Sequence, residues 1–324
     1  MELTQPTPAE VAEAAHEASA RLAGRIRETP LDHSPIFSQR TGANVFFKLE
    51  NLQHTGSFKL RGAMNRILTL DDATRDAGVV TASSGNHGAA VAYALKSLGV
   101  DGIIFVPEQT AKTKVDAIRS YGGNLEFFGT DGLDTELHAR EYADRHGMMY
   151  ISPYNDPAVM AGQGSCGVEI ARELDAIDSV FVAVGGGGLI GGVGSVLKAR
   201  GNVELVGCQP KNSPVMAESV AAGRIVERSS EPTLSDGTAG GIEAGAITFD
   251  VCRAVTDRFD VVDEEEIASA MRDFMDAQHQ LIEGAAGVAV ASLLRAGDTL
   301  KGKKVVVLIC GANLSRDSLK RVLS

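Results

Sequence analysis

The chain is short of positive charge, of paired cysteines and of long apolar runs. Lysine and arginine number 31 against 42 acidic residues, a formal net charge of −11. A nucleic-acid binder usually presents a basic face, and an anionic membrane surface repels this charge, so the composition argues against both partners. The cysteines are Cys166, Cys208, Cys252 and Cys310. No C-x-x-C pair occurs and no histidine lies at zinc spacing from any of them. Reduced thiols in a cytoplasmic protein fit best. No apolar run is long enough to span a bilayer. Met1 to Pro8 lacks a basic flank and an apolar h-region, so no signal peptide is expected. Repeats and low-complexity linkers are absent. The G-x-x-x-x-G-K-[ST] pattern is also absent, which argues against nucleotide triphosphate hydrolysis.

What is present is an ordinary globular composition. Of 324 residues, 44% are hydrophobic and 23% charged, enough for one large domain or two smaller ones. Thr7-Pro8-Ala9-Glu10 reads as a capping box with proline at the first helical position, predicting a helix to about Leu22. A strand follows at Asn44–Leu49. Strand and helix then alternate: Gly78–Ala82, Ala89–Leu98, Gly102–Val106, Lys112–Tyr121, Leu125–Phe128, Leu133–His146 and Met148–Ile151. The pattern continues with a helix at Ala158–Leu174, a strand at Ser179–Val184, a helix at Gly191–Arg200 and a strand at Val203–Gly207. Such alternation predicts an α/β fold with parallel sheets flanked by helices. The wholly apolar runs near Leu205 and at Val305–Ile309 are those of buried parallel strands. Gly223–Gly245, rich in Ser, Thr, Gly and Pro, predicts a long surface excursion.

Three stretches carry chemistry. In the first, Gly56-Ser-Phe-Lys-Leu-Arg-Gly-Ala63, a lysine stands at a helix start. Gly56 can bend the chain, Ser57 can cap, and Leu60, Ala63, Met64 and Ile67 repeat at helical spacing. A lysine amine losing hydration there is more easily neutral, and a neutral amine can form a Schiff base and act as a base. A surface lysine that snorkels is the other reading of the same residues.

The second stretch is Gly185-Gly-Gly-Gly-Leu-Ile-Gly-Gly192, which leads from the Ser179 strand into a helix. Free amides at that start, with no side chains in the way, make a phosphate cradle. Gly186, Gly188 and Gly191 also satisfy G-x-G-x-x-G, but the next strand ends in Gln209-Pro210 without the acid that would hold a ribose. A tight turn binding nothing is the third alternative. The remaining stretch, Ser83-Ser-Gly-Asn-His-Gly88, leaves the C-terminal end of a strand, where open α/β sheets bind ligands. Its hydroxyls and amides suit a carboxylate; equally, Ser83 or Ser84 could cap the following helix.

These stretches, in this order, resemble the fold-type II pyridoxal-phosphate enzymes (the tryptophan synthase β-like fold), and within them the serine/threonine dehydratase and serine racemase family. The likeness extends from Arg27-Glu-Thr-Pro-Leu31 to Cys310-Gly-Ala-Asn-Leu-Ser315 and includes Pro157-Ala-Val-Met-Ala-Gly-Gln-Gly164 and Leu281-Ile-Glu283. It implies two domains, a large cofactor-binding one (1–75 and 153–324) and a small inserted one (76–152), with pyridoxal 5'-phosphate between them. Lys59 would bind the cofactor covalently beside Phe58. The amides of Gly185, Gly186, Gly187, Gly188 and Leu189 would hold the phosphate. Asn86 would bond the ring hydroxyl, Cys310 would face the pyridine nitrogen, and Glu283 would be a further cofactor-binding residue. Ser83, Ser84, Asn86 and His87 would line the substrate carboxylate. A homo-oligomer, expected to be a dimer, is also implied.

The activity implied is ammonia release from a β-hydroxy amino acid. Lys59 takes the α-proton, the hydroxyl leaves with the cofactor phosphate as its proton donor, and hydrolysis yields a 2-oxo acid. Cys310 stands where many members have serine, and a thiol is the weaker donor. At the positions of a divalent-cation site this chain has Gln209, Ser213 and Val215, neither end an acid, so no metal is expected. The chain ends soon after Cys310, so feedback through a C-terminal regulatory domain is not expected. In racemases of this family a serine at the Ser84 position serves the opposite substrate face as a second base, which makes serine racemisation an alternative. Members accepting a second carboxylate carry an arginine where this chain has Thr135, with Arg140 five residues on. A neutral substrate (threonine, serine or phenylserine) is therefore expected over 3-hydroxyaspartate, with Tyr154 and Phe58 adding aromatic surface. A non-catalytic binding protein on the same fold is the remaining class, and the presence of Lys59 argues against it.

Overall fold

The computed structural model describes residues 5–324. In chain order its strands are β1 (Leu31–His33), β2 (Asn44–Leu49), β3 (Val79–Ala82), β4 (Gly102–Val106), β5 (Leu125–Phe127), β6 (Met149–Tyr150), β7 (Ser179–Ala183), β8 (Glu204–Pro210), β9 (Arg258–Val262) and β10 (Lys304–Ile309). The helices are α1 (Pro8–Leu22), α2 (Pro35–Thr41), α3 (Lys59–Leu68), α4 (Asp72–Ala77), α5 (Asn86–Leu98), α6 (Lys112–Ser120), α7 (Gly132–His146), α8 (Pro157–Glu173), α9 (Gly188–Arg200), α10 (Val215–Ala222), α11 (Ile247–Val255), α12 (Glu264–Gln278), α13 (Gly284–Ala296) and α14 (Arg316–Leu323).

Two sheets result. The larger has the order β1-β2-β10-β7-β8-β9, and only its edge pair β1–β2 is antiparallel. The smaller, β5-β4-β3-β6, is wholly parallel. Every residue of β7 is buried, as a parallel strand covered on both faces requires. Phe37, Phe47 and Phe274 meet under the large sheet, two of the three pairs edge to face. Burying each such ring contributes about 2–3 kcal/mol. The strands of the small sheet all fall between 79 and 150. They support the division at 76–152, which we propose as the domain boundary.

Helix α3 is the seam between the two units. Leu60, Ala63, Met64 and Ile67 join the core under the small sheet with Val79, Val91 and Ile104. Its other side packs on α8 so closely that a Cβ on Gly162 would stand 2.6 Å from the Arg61 carbonyl. Glycine at 162 is what lets the two backbones approach.

Helix starts follow the expected chemistry where a side chain caps them. Thr7 and Glu10 complete the capping box of α1, and Asp156 caps α8 with Pro157 at its first position. Two helices start three residues earlier than the sequence pattern predicts. α5 begins at Asn86 and α9 at Gly188, and both are capped by glycine without a side-chain bond. The periodicity of apolar residues begins later than the backbone hydrogen bonding does. β8 also runs to Pro210, because Gln209 and Pro210 pair with Val261 and Val262 of β9.

Candidate active site

The segment before Lys59 is stitched to the end of β10. The Phe58 amide donates to the Cys310 carbonyl at 3.0 Å, and the Ala312 amide to the Gly56 carbonyl at 2.9 Å. Gly56 supplies the bend, with φ of 71°. Ser57 does not cap α3. The cap residue is Phe58, without a side-chain bond, and the Ser57 hydroxyl is buried with no partner among the described residues. This stitching sets Lys59 at the first position of α3, half-buried, facing the cleft between the two sheets. Its ammonium donates to the Pro153 carbonyl at 2.8 Å. Burial pulls the amine down to about 8, against the opposing pull of Cys310 and Glu283.

Behind the lysine, Arg61 is completely buried between Glu50 and Glu169, with four bonds of 2.6–2.8 Å. Lys48, also buried, pairs with Glu169 at 2.7 Å. This paired cluster fixes the first turn of α3 against β2 and α8, and so fixes where Lys59 stands.

The loop Ser83–Gly88 leaves β3 beside Lys59. Neither serine caps α5. Ser83 accepts from the Gly85 amide at 3.2 Å, while Ser84 is half-buried and lines the cleft. Asn86 donates to both oxygens of Glu283 at 2.9 and 3.0 Å and accepts from the Asn313 side chain at 2.7 Å. The Asn313 amide closes the triangle on Glu283 at 3.1 Å. Burial first, then the charge of Asp236, raises the Glu283 carboxyl to about 7, against the Asn86 and Asn313 bonds and Lys59. Cys310 stands 3.9 Å from Glu283, and burial keeps its thiol well above its ordinary pKa and therefore neutral.

His87 differs from its expected role. It borders the cleft, but its ring is buried and its Nε2 donates to the Ile151 carbonyl at 3.1 Å. The carbonyl partner fixes the proton on Nε2 and leaves Nδ1 without a partner among the described residues. Burial, aided by Lys59, lowers its pKa to about 3, so the ring is neutral and its N–H is not free for a carboxylate.

The glycine run forms the opposite wall. Gly187 has φ of 85° and precedes a helix start whose amides no side chain caps. A Cβ on Gly186 would lie 2.4 Å from Cγ of Tyr154, and one on Gly187 3.0 Å from Met216. The Thr248 hydroxyl holds the loop by donating to the Gly186 carbonyl at 2.6 Å. Gln209 is also structural: its side chain donates to the Val184 carbonyl and accepts from the Ala217 amide.

The open cleft has a volume of about 1680 Å³. The residues around it fit pyridoxal phosphate: a bare amide cradle for the phosphate and a neutralisable amine at Lys59. Held there, the group would meet Lys59, the Gly185–Leu189 amides and the neutral Cys310 thiol.

Several residues facing this cavity lie outside the expected set. The excursion over Gly223–Gly245 does not only cover surface, because Asp236 to Glu243 returns to line the cleft. Thr135 is buried, its hydroxyl donating to the Phe128 and Asp131 carbonyls. Its neighbours Glu136 and Arg140 line the cavity instead, with Tyr154. Helical spacing of 136 with 140 was the available sequence signal.

The sequence model for the family described as pyridoxal-phosphate dependent enzyme matches residues 22–311. The catabolic L-threonine dehydratase TdcB of Staphylococcus aureus is 38% identical over 312 residues, 95% of this chain and 90% of that protein. The processed form of threonine deaminase isoform 2 from Solanum lycopersicum superposes with a TM-score of 0.93 at 34% identity, covering 99% of this chain and 94% of that one. Maize serine racemase superposes with a TM-score of 0.90 at 32% identity, covering 96% of each chain.

Proposed function

The chain belongs to the pyridoxal-phosphate dependent enzymes, and from that membership we propose that it releases ammonia from a neutral β-hydroxy amino acid, leaving a 2-oxo acid. The observation that carries this reading is the Lys59 amine, half-buried and lowered to about 8, facing an uncapped glycine helix start across one cleft. When bound, pyridoxal phosphate supplies an electron sink at the α-carbon. Lys59 takes the α-proton, its amine being neutral in useful proportion near pH 8. The loop amides and the Ser83 and Ser84 hydroxyls orient the carboxylate. Cys310 stays a neutral thiol, so it offers no full charge toward the cofactor ring and favours prompt loss of the leaving group.

Threonine, serine and phenylserine are the proposed substrates, with Phe58 and Tyr154 as aromatic wall. The names of the threonine dehydratase and threonine deaminase relatives support threonine. Release of 2-oxo acid from each of the three by cofactor-loaded protein tests the proposal. Turnover of none of them would overturn it.

One observation supports a second activity. Ser84 borders the cleft and caps nothing, leaving its hydroxyl available to return a proton to the substrate face away from Lys59. Chiral chromatography after incubation with L-serine should show D-serine, and Ser84→Ala should remove it while ammonia release continues. No D-serine above background from the unsubstituted protein sinks this second reading.

A further inference from the structure

We propose that Glu243 and Glu136 set side-chain specificity by masking Arg140, a guanidinium that would otherwise receive a second substrate carboxylate. The inference rests on the ammonia-release reading of the same cleft. Arg140 is held on three sides. Its Nε and Nη2 donate to one oxygen of Glu136 at 3.1 and 2.8 Å. Nη2 also donates to Glu243, which reaches it from the excursion after α10. Its flat face lies 4.3 Å from the centre of the Tyr150 ring.

Glu243 is itself positioned from the reacting centre. Its amide donates to the Tyr154 hydroxyl at 2.9 Å, and its carboxylate accepts from the Asn155 side chain. Tyr154 packs against Gly186 of the phosphate cradle. Pro153, one residue earlier, accepts from the Lys59 ammonium. Three consecutive residues therefore link the reactive amine to the Arg140 cluster. Burial, helped by the charges of Glu243 and Glu136, pushes the Tyr154 hydroxyl up to about 12 against the lowering pull of the Glu243 amide, so it stays a neutral acceptor there.

Two carboxylates on one guanidinium leave the cluster with a net charge of −1. An incoming carboxylate meets repulsion and finds the cation already bonded, a mismatch that rejects a ligand without any clash of shape. Lys114, which also lines the cleft, faces Asp236 at 3.7 Å. Glu243 and Glu136 thus act as specificity residues through Arg140.

The test compares succinate binding by calorimetry in cofactor-loaded protein, Glu243→Gln, Glu136→Gln and the double variant E243Q/R140M. The proposal expects E243Q to bind succinate at least tenfold more tightly than the unsubstituted protein, and R140M to cancel the gain. The kcat/KM ratio of 3-hydroxyaspartate to threonine should rise in parallel. Unchanged succinate affinity in folded E243Q and E136Q overturns the proposal, as does a gain that survives R140M. Circular dichroism establishes folding, and either single variant suffices. Failure of every neutral substrate would refute the ammonia-release reading instead, because succinate binding is scored without turnover.

Discussion

The Lys59 ammonium donates to the Pro153 carbonyl at 2.8 Å, joining residues 94 positions apart. Pro153 follows the last strand of the small sheet, so this bond ties the start of α3 to the return of the chain into the large sheet. Burial outweighs the opposing pull of Cys310 and Glu283, and the amine falls to about 8. The lysine is therefore held in place while remaining close to neutrality.

The first prediction is chemical. Borohydride reduction of the cofactor-loaded protein followed by peptide mapping should place the pyridoxyl group on Lys59. Lys59→Ala should lose the covalent link, and ammonia release should fall by about 10³-fold or more. A label on another lysine contradicts the assignment.

The amine of the cofactor-free protein should titrate early. Its neutral fraction rises with pH, so covalent capture of pyridoxal phosphate should accelerate as pH increases and level off above about 8 rather than above 10.5. Stopped-flow absorbance across about pH 6–10, a window of about two units below and above that midpoint, reads this directly. A midpoint near 10 would remove the argument from burial.

Gly186→Ala should weaken cofactor binding. The added Cβ would fall 2.4 Å from Cγ of Tyr154, so either the ring or the loop must move. We expect the cofactor dissociation constant to rise at least about tenfold, or roughly 1.4 kcal/mol. Fluorescence titration of the cofactor-free protein measures it, and an unchanged constant would show that the cradle tolerates the side chain.

Glu283 makes stability depend on pH in an unusual direction. The folded carboxyl keeps its proton to about 7, whereas an ordinary glutamate loses it near 4.5. Between these values the folded state binds more protons, so this group's contribution to stability falls as pH rises through that window. Glu283→Gln removes the titration. Relative to the unsubstituted protein, the variant should gain on the order of 3 kcal/mol between the bottom and the top of the window. Denaturant melts of both cofactor-free proteins at several pH values check this, and parallel pH profiles would contradict it.

Arg61→Met should be strongly destabilising. It strands Glu50 and Glu169, both buried, without their guanidinium. Removing one partner of a buried ion pair costs about 3–5 kcal/mol. A loss below about 1 kcal/mol in urea unfolding would mean that Lys48 alone satisfies both carboxylates.

Lys59, the glycine run and the Ser83–Gly88 loop were readable as sequence because each is one contiguous stretch with its own local chemistry. So were the alternation of strand and helix and the capping box at Thr7. Order between segments was not readable. Asn86 meets Glu283 across 197 positions and Asn313 across 227, and only the pairing of β3 and β10 into separate sheets on either side of one cleft brings them together. Ser57 looked like a cap because its residue type caps. The tertiary bridge to Gly311 instead moves the helix start past it and leaves its hydroxyl buried with no partner among the described residues. Thr135 and Arg140 invert their expected parts for a similar reason. The rotation of α7 against the small sheet buries the threonine and turns Glu136 and Arg140 to the cleft. Glu243 then arrives from an excursion whose composition says only that it is irregular. A sequence specifies the chemistry each segment can offer; which side chains share a cleft depends on long-range packing, and no local pattern of residues encodes it.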